Sequence, residues 1–253
     1  MTSAADGAAG SSTATATDAQ PVASAWREFL AGASMGAPAA ISVVPIGLLY
    51  GALATQKGLS PLEIALACAL IFAGSAQFVA LELWTTPASW VVLGFAALTI
   101  NLRHIMMGAS LGRRLRRFSL LQKLTGMWQL SDESWAMAER RARLAPLTPA
   151  CFWGVSLVIY LSWLLFSVAG AMLGALMDDP ARYGFDFAFA ALFTGLIVGF
   201  WRGSRTGAVI AASAVAALAV KSVAGGAWFV VAGGLAGMLV AAALPAEGTA
   251  DAD

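Results

Sequence analysis

Residues 88–110 read ASWVVLGFAALTINLRHIMMGAS, an apolar run with Asn101, Arg103 and His104 set inside it. About 20 apolar residues carry a helix across the hydrocarbon core of a bilayer, and this run meets that length. It stays apolar on both sides of Arg103 until Arg113. A helix rises about 15 Å between those two arginines, farther than a snorkelling side chain comfortably reaches. A cation held that deep costs on the order of 2.5–3.5 kcal/mol even on a lenient insertion scale. Unless the span ends early and leaves Arg103 at the inner interface, the guanidinium faces the bundle interior and meets a partner. That partner is an anionic group on a ligand, backbone carbonyls, or a structural acid such as Glu82 or Asp132. His104 is open between proton handling and a core histidine with satisfied ring nitrogens.

Outward from this stretch lie further apolar runs at 29–54, 62–84, 149–176, 186–201, 206–222 and 226–244. No alternating strand pattern interrupts them. Pro61, Pro87, Pro149 and Pro245 fall near run ends, and Gly203, Gly225 and Gly226 mark further turns. The expected fold is an all-α integral membrane protein, a polytopic helical bundle of about seven spans. Composition agrees: 59% of residues are hydrophobic and only 11% charged, against about 25% charged in soluble domains. A polar skin made from so few charges does not cover a soluble globule. The net charge of +1 offers no footprint for nucleic acid. The single histidine and two cysteines, Cys68 and Cys151, make no metal cluster or disulfide framework, and no cofactor is expected.

Residues 1–24 and 246–253 are small and polar and read as disordered tails flanking a single transmembrane transporter domain, 25–245. The first tail lacks the basic start and apolar stretch of a signal peptide. Arg113, Arg114, Arg116, Arg117, Lys123, Arg140, Arg141 and Arg143 crowd the connection 111–148, so the positive-inside rule places it in the cytoplasm. Its apolar and polar groups alternate at helical spacing, with Trp128 and Trp135 suited to an interface. An amphipathic helix, or a short helical hairpin dipping inward, fits that pattern. Alternation of seven spans then predicts an external N-terminus and a cytoplasmic C-terminus, with Lys57 inside and Arg27, Arg182 and Lys221 outside.

The 29–54 run carries Pro38 and Pro45 beside Gly32, Gly36, Gly47 and Gly51. Mid-span prolines free backbone carbonyls, which in lipid need partners. Transporters place substrate at such broken helices, so a Pro/Gly-broken first helix is expected; a simple kink in a packing helix is the other reading. Phe72-Ala73-Gly74-Ser75-Ala76-Gln77-Phe78 is a second motif. The Gln77 amide either contacts substrate or bonds across helices. In Ser131-Asp132-Glu133 the serine suits an N-cap and the acids suit a first helical turn, while a carboxylate there also fits a substrate ammonium or a proton. Glu82 and Asp186 lie near run ends and face water.

With these motifs assembled, the chain resembles the AzlC-type branched-chain amino acid permeases, the azaleucine-resistance family. The matching stretches are PIGLLYGALATQKGLSPLE (45–63), FAGSAQF (72–78), NLRHIMMGASL (101–111) and LSDESWA (130–136). Ile46 and Ser131 stand where the family pattern often has Phe and Thr. The resemblance implies a bacterial inner-membrane, multi-pass exporter of valine, leucine and isoleucine, working with a small AzlD-type membrane subunit. It carries over Pro45, Gly47, Gly51, Gln77, Asn101 and Arg103 as substrate-binding positions, and Asp132, beside His104, for ammonium or proton handling. No P-loop is present, so coupling to an ion gradient is expected. Two rival classes remain at this level: a membrane-embedded enzyme using His104 with Asp132 or Ser75, and a scaffold subunit whose partner does the transport.

Overall fold

The computed structural model describes residues 24–177, 184–199, 201–224 and 228–244. The expected tails (Ser24 apart), Arg182, Gly225, Gly226, Pro245 and the Asp186 side chain lie outside the described residues. Those described form an all-α membrane protein. The helices are α1 (Ala25–Gln56), α2 (Pro61–Leu70), α3 (Gly74–Glu82), α4 (Trp90–Asn101), α5 (Arg103–Gly112), α6 (Leu120–Trp128), α7 (Asp132–Leu144), α8 (Pro149–Ala175), α9 (Phe185–Gly199), α10 (Ser204–Val223) and α11 (Trp228–Ala243). Serine or threonine starts five of them. Ser24, Ser60, Ser119, Ser131 and Thr148 each accept a bond from the amide three residues on, which satisfies one of the donors a helix start leaves bare. Gly58, at φ +86°, turns the chain after α1.

The centre of the molecule is the pair α1 and α8. Gly32 lies against Cys151, Gly36 against Val155, Gly47 against Phe166, and Gly51 against Ser167 and Ala171. The two sets of numbers climb together, so these helices run parallel. Glycines on both sides let the backbones approach closely, which in lipid supplies van der Waals contact where no hydrophobic driving force exists. Two hydroxyls tie the seam: Ser162 donates to the Ala40 carbonyl at 2.7 Å, and Thr55 to the Ala171 carbonyl at 3.3 Å.

The expected break in the first helix is absent. Helix α1 runs unbroken through Pro38 and Pro45. Proline removes one backbone donor and crowds the carbonyl four residues back, but it breaks a helix only where nothing else holds the chain. Here α8 supports α1 along its length, with Ser162 of α8 donating to the Ala40 carbonyl one residue before the Ile41 carbonyl that Pro45 deprives. The break falls instead in the second run. Residues 62–84 are two short helices, α2 and α3, interrupted at Ile71–Ala73.

Helix α2 has 10 residues and rises only about 15 Å, half of the roughly 30 Å hydrocarbon thickness. It starts at the end of α1 and stops beside the middle of α8, where Tyr160 donates to the Ala69 carbonyl at 3.1 Å. Helix α3 then returns to the end it came from, passing Trp163 at Gly74 and reaching Tyr50 at Phe78. The next segment, Trp90–Gly112, is long and apolar enough to cross, as are α1, α8 and α10. It runs to the opposite end, where Leu111 packs with Leu115, Phe118 and Phe152.

A second hairpin enters from that opposite end. Helices α6 and α7 are joined through Gln129–Ser131, and the Trp128 indole at the tip donates to the Leu70 carbonyl at 3.2 Å, the tip of the first hairpin. The two hairpins share a plan. Each opens with a reciprocal serine cap, Ser60 with Glu63 and Ser119 with Gln122. Each breaks over three residues, at Ile71–Ala73 and Gln129–Ser131, before its second helix begins. They come in from opposite ends and meet near the middle of the bundle.

The start of α1 shares an end with the arginine-rich connection. Arg141 reaches Glu28 at 3.3 Å, and Thr148 donates to the same carboxylate at 3.0 Å. The expectation that Arg27 and this connection lie on opposite sides is therefore overturned. The reason is the hairpin: α2 and α3 do not cross, so only one crossing separates the parallel helices α1 and α8. Arg27 and Lys57 simply exchange sides, and the lysine and arginine balance across the membrane is unchanged. Impermeant maleimide labelling tests this, because Cys68 and Cys151 are buried and stay silent. Arg27→Cys and Arg143→Cys are expected to label from one side and Lys57→Cys from the other; labelling of positions 27 and 57 from the same side overturns the topology.

A charged cavity between opposed half-helices

Helix α4 hands over to α5 at Leu102, and the irregularity there aims the polar residues. The Ile105 amide donates to the Leu102 carbonyl at 3.1 Å, one residue closer than an α-helix prescribes. The Asn101 carbonyl meets the His104 ring instead, with Nδ1 at 3.2 Å. The other ring nitrogen, Nε2, lies 3.0 Å from the Leu130 carbonyl, so His104 links the α4–α5 joint to the tip of the second hairpin.

Arg103 links both hairpins. One guanidinium nitrogen donates to Asp132 Oδ2 at 2.6 Å and the other to Ser75 Oγ. Ser75 stands in the first turn of α3 and Asp132 in the first turn of α7, so one side chain clamps the starts of two half-helices from opposite ends. The Arg103 and Asp132 side chains remain 29% and 46% exposed. That exposure faces a cavity of about 420 Å³, so the pair forms part of a wall and is not sealed in the core. Of the partners left open by sequence, the structure gives Arg103 the acid Asp132.

Polar groups of the cavity come from Ser75, Arg103, His104, Ser131, Asp132 and Glu133. The remaining surface is apolar, chiefly Val43, Ile46, Phe72, Phe78, Ile159 and Trp163. Ala73 gives α3 no capping side chain, and Ala73, Gly74 and Ser75 line the same space, so the uncapped start of that helix borders it. The cavity thus offers a cation, an anion and bare amide donors at one place, with aliphatic and aromatic walls around them.

The sequence candidates divide sharply. Arg103, His104 and Asp132 converge on the cavity. Asn101 does not; it lines an adjoining, more open crevice with Leu70, Ile71 and Trp128, and its Oδ1 is buried with no hydrogen-bond partner among the described residues. Gly47 and Gly51 face α8, and α1 contributes Val43 and Ile46 to the cavity in place of Pro45. Because α1 is continuous, Pro45 and Gly47 present no bared helix ends. Gln77 is buried, with Oε1 accepting from the Trp163 indole at 2.9 Å and Nε2 against Cys68 Sγ at 3.7 Å.

Ser131 caps α7 while its neighbour Asp132 reaches into the cavity, so the local and the outward-looking roles of that motif coexist. Trp163 and Ile159 were not legible as site residues: they sit in a long, mostly apolar run whose few serines do not mark the face that lines the cavity. Ser75 accepts from Arg103, and both His104 nitrogens lie on main-chain carbonyls, so these two side chains are not paired with each other.

A cavity of this kind, set between two hairpins inside an all-α bundle, defines a membrane protein with a charged central site. Residues 38–177 match the family described as AzlC protein, more than half of the sequence, and the chain belongs to that family. It is 29% identical over 192 residues to "Inner membrane protein YgaZ" of Escherichia coli strain K12, covering 73% of this chain and 78% of that protein. It is 26% identical over 180 residues to "Branched-chain amino acid transport protein AzlC" of Bacillus subtilis strain 168, covering 70% and 69% of the two. No solved structure matches the chain.

Proposed function

We propose that this chain carries branched-chain amino acids across a bacterial inner membrane. The observation that bears the reading is the Arg103–Asp132 pair opening on an apolar cavity. A zwitterion is the complement of such a pair: its carboxylate replaces Asp132 on the guanidinium, and its ammonium takes the aspartate. The bare first turn of α3 adds amide donors for the carboxylate. A branched aliphatic side chain then rests against Val43, Ile46 and Ile159. One methylene is discriminated only about 10–200-fold in such a pocket, so valine, leucine and isoleucine are all accepted.

Positive charge clusters at the end that holds the 111–148 connection, and we assign that end to the cytoplasm. Transport runs outward, driven by an ion gradient, with a small AzlD-type membrane subunit as partner. Alternating access follows from the two hairpins, each of which closes the cavity from one end. The test is radiolabelled valine flux in proteoliposomes under an imposed proton gradient, with and without the small subunit. Unmodified valine crossing faster than in empty vesicles is the expected result. A chemically altered product identifies an enzyme, and flux by the small subunit alone identifies a scaffold; either overturns the reading.

A further inference from the structure

We propose that Trp163, held in place by Gln77, sets the upper size limit on the side chain that the cavity admits. The inference rests on the transport reading above and names the residue that makes the site selective.

Trp163 comes from α8 and forms one wall of the cavity. The residue is only 5% exposed, its indole wedged between three neighbours. It stacks on Tyr50 with ring centres 5.4 Å apart. It meets Phe78 edge-on at 6.3 Å. A Cβ placed on Gly74 would stand 3.3 Å from its Cη2, so only glycine there leaves the ring its present position without adjustment. The cavity volume of about 420 Å³ lies at the small end of ligand pockets. The ring therefore stands where a bigger substrate side chain would have to extend.

An indole buried away from water must find an acceptor for its N–H. Within an apolar bundle Gln77 is that acceptor, through Oε1 at 2.9 Å. The amide is itself steadied by its contact with Cys68 at 3.7 Å. Gln77 thus touches no cavity surface, yet fixes the orientation of the residue that does. It is a positioning residue, and its effect is read in selectivity. Removing the acceptor leaves the N–H only the weak Cys68 sulfur, and the ring is no longer fixed in its stack.

Flux of phenylalanine relative to valine, measured in the same proteoliposomes, reads this directly, because a ratio is independent of how much folded protein is present. Trp163→Leu is expected to raise the phenylalanine-to-valine ratio by about tenfold or more, the scale of one to two methylenes of pocket space. Gln77→Leu is expected to raise it several-fold, and Gln77→Glu, which keeps an acceptor oxygen, to restore the original ratio. An unchanged ratio in both leucine variants, with valine still carried, overturns the inference and leaves the transport reading standing. Loss of all flux in both, with the proteins monodisperse, also overturns it by making Trp163 and Gln77 necessary for carrying any substrate rather than for limiting its size. Failure of the unaltered protein to carry valine is a different outcome, and removes the transport reading itself.

Discussion

Arg103→Ala is expected to abolish valine flux while the protein still inserts and purifies. Truncating one member of a fully desolvated, hydrogen-bonded charge pair costs about 2–5 kcal/mol, and the partial exposure of Arg103 and Asp132 to the cavity puts this pair at the lower end of that range. At 1.4 kcal/mol per decade this means a loss of roughly 30-fold or more. Asp132→Ala should match it, since in the proposed reading each side chain takes one end of the zwitterion. Arg103→Lys keeps the charge but loses the planar fork that bridges Ser75 and Asp132, so a partial loss is expected. The decisive variant is the double replacement Arg103→Met with Asp132→Leu. Exchanging an ion pair for apolar residues is often neutral or stabilising. A pair that only braces the hairpins would therefore leave a folded and active double variant. A pair that receives substrate leaves a folded and inactive one. Valine flux near the unaltered level in the double variant would falsify the assignment of substrate to this pair.

The central charge was legible because it breaks a rule: a guanidinium amid apolar residues, about 15 Å of helix from the next arginine, has few permitted environments. Asp132 stood beside Glu82 as one of two candidate acids, and the second hairpin is what carries it from the 111–148 connection to Arg103. The topology was harder to read, and the physical cause lies in what interrupts a helix. Pro38 and Pro45 are visible interruptions, yet α8 braces α1 so closely that the helix continues through both. The real interruption at Ile71–Ala73 carries no proline and no charge. It is held by tertiary contacts, the Tyr160 and Trp128 bonds to Ala69 and Leu70, which no local pattern announces. The likeness of the two hairpins is also hidden, because it resides in a cap and a break rather than in repeated residues: Ser60 to Glu63 and Ser119 to Gln122 match, while the segments after them do not.

The α1–α8 seam sets the remaining large effect, on the protein's existence rather than on its chemistry. Gly51→Leu is expected to abolish recovery of folded protein. A Cβ at this position runs into the main-chain carbonyl of Ser167 and the amide of Ala171, and backbone cannot rotate aside as a side chain can. Gly170 is placed in the same way against the Leu48 carbonyl, and a Cβ on Gly174 would lie 2.9 Å from Ala52 Cα. Overpacking a core costs about 1–3 kcal/mol even where neighbours are flexible, so a clash with helix backbone lies at or beyond the upper end. The two helices must separate along the seam, and separation also strains the Ser162 and Thr55 bonds across it. Gly94 is the contrast. Nothing approaches the site of its Cβ within 4 Å, so Gly94→Ala gains the helix propensity that glycine lacks, about 1 kcal/mol, without a clash. Melting of the detergent-solubilised protein, followed by fluorescence-detected size exclusion, separates the cases: Gly51→Leu aggregated or absent, Gly94→Ala equal to or above the unaltered protein. A Gly51→Leu protein that melts with the unaltered one shows that the helices stand farther apart than backbone contact, and the parallel pair then no longer accounts for how α1 survives its two prolines.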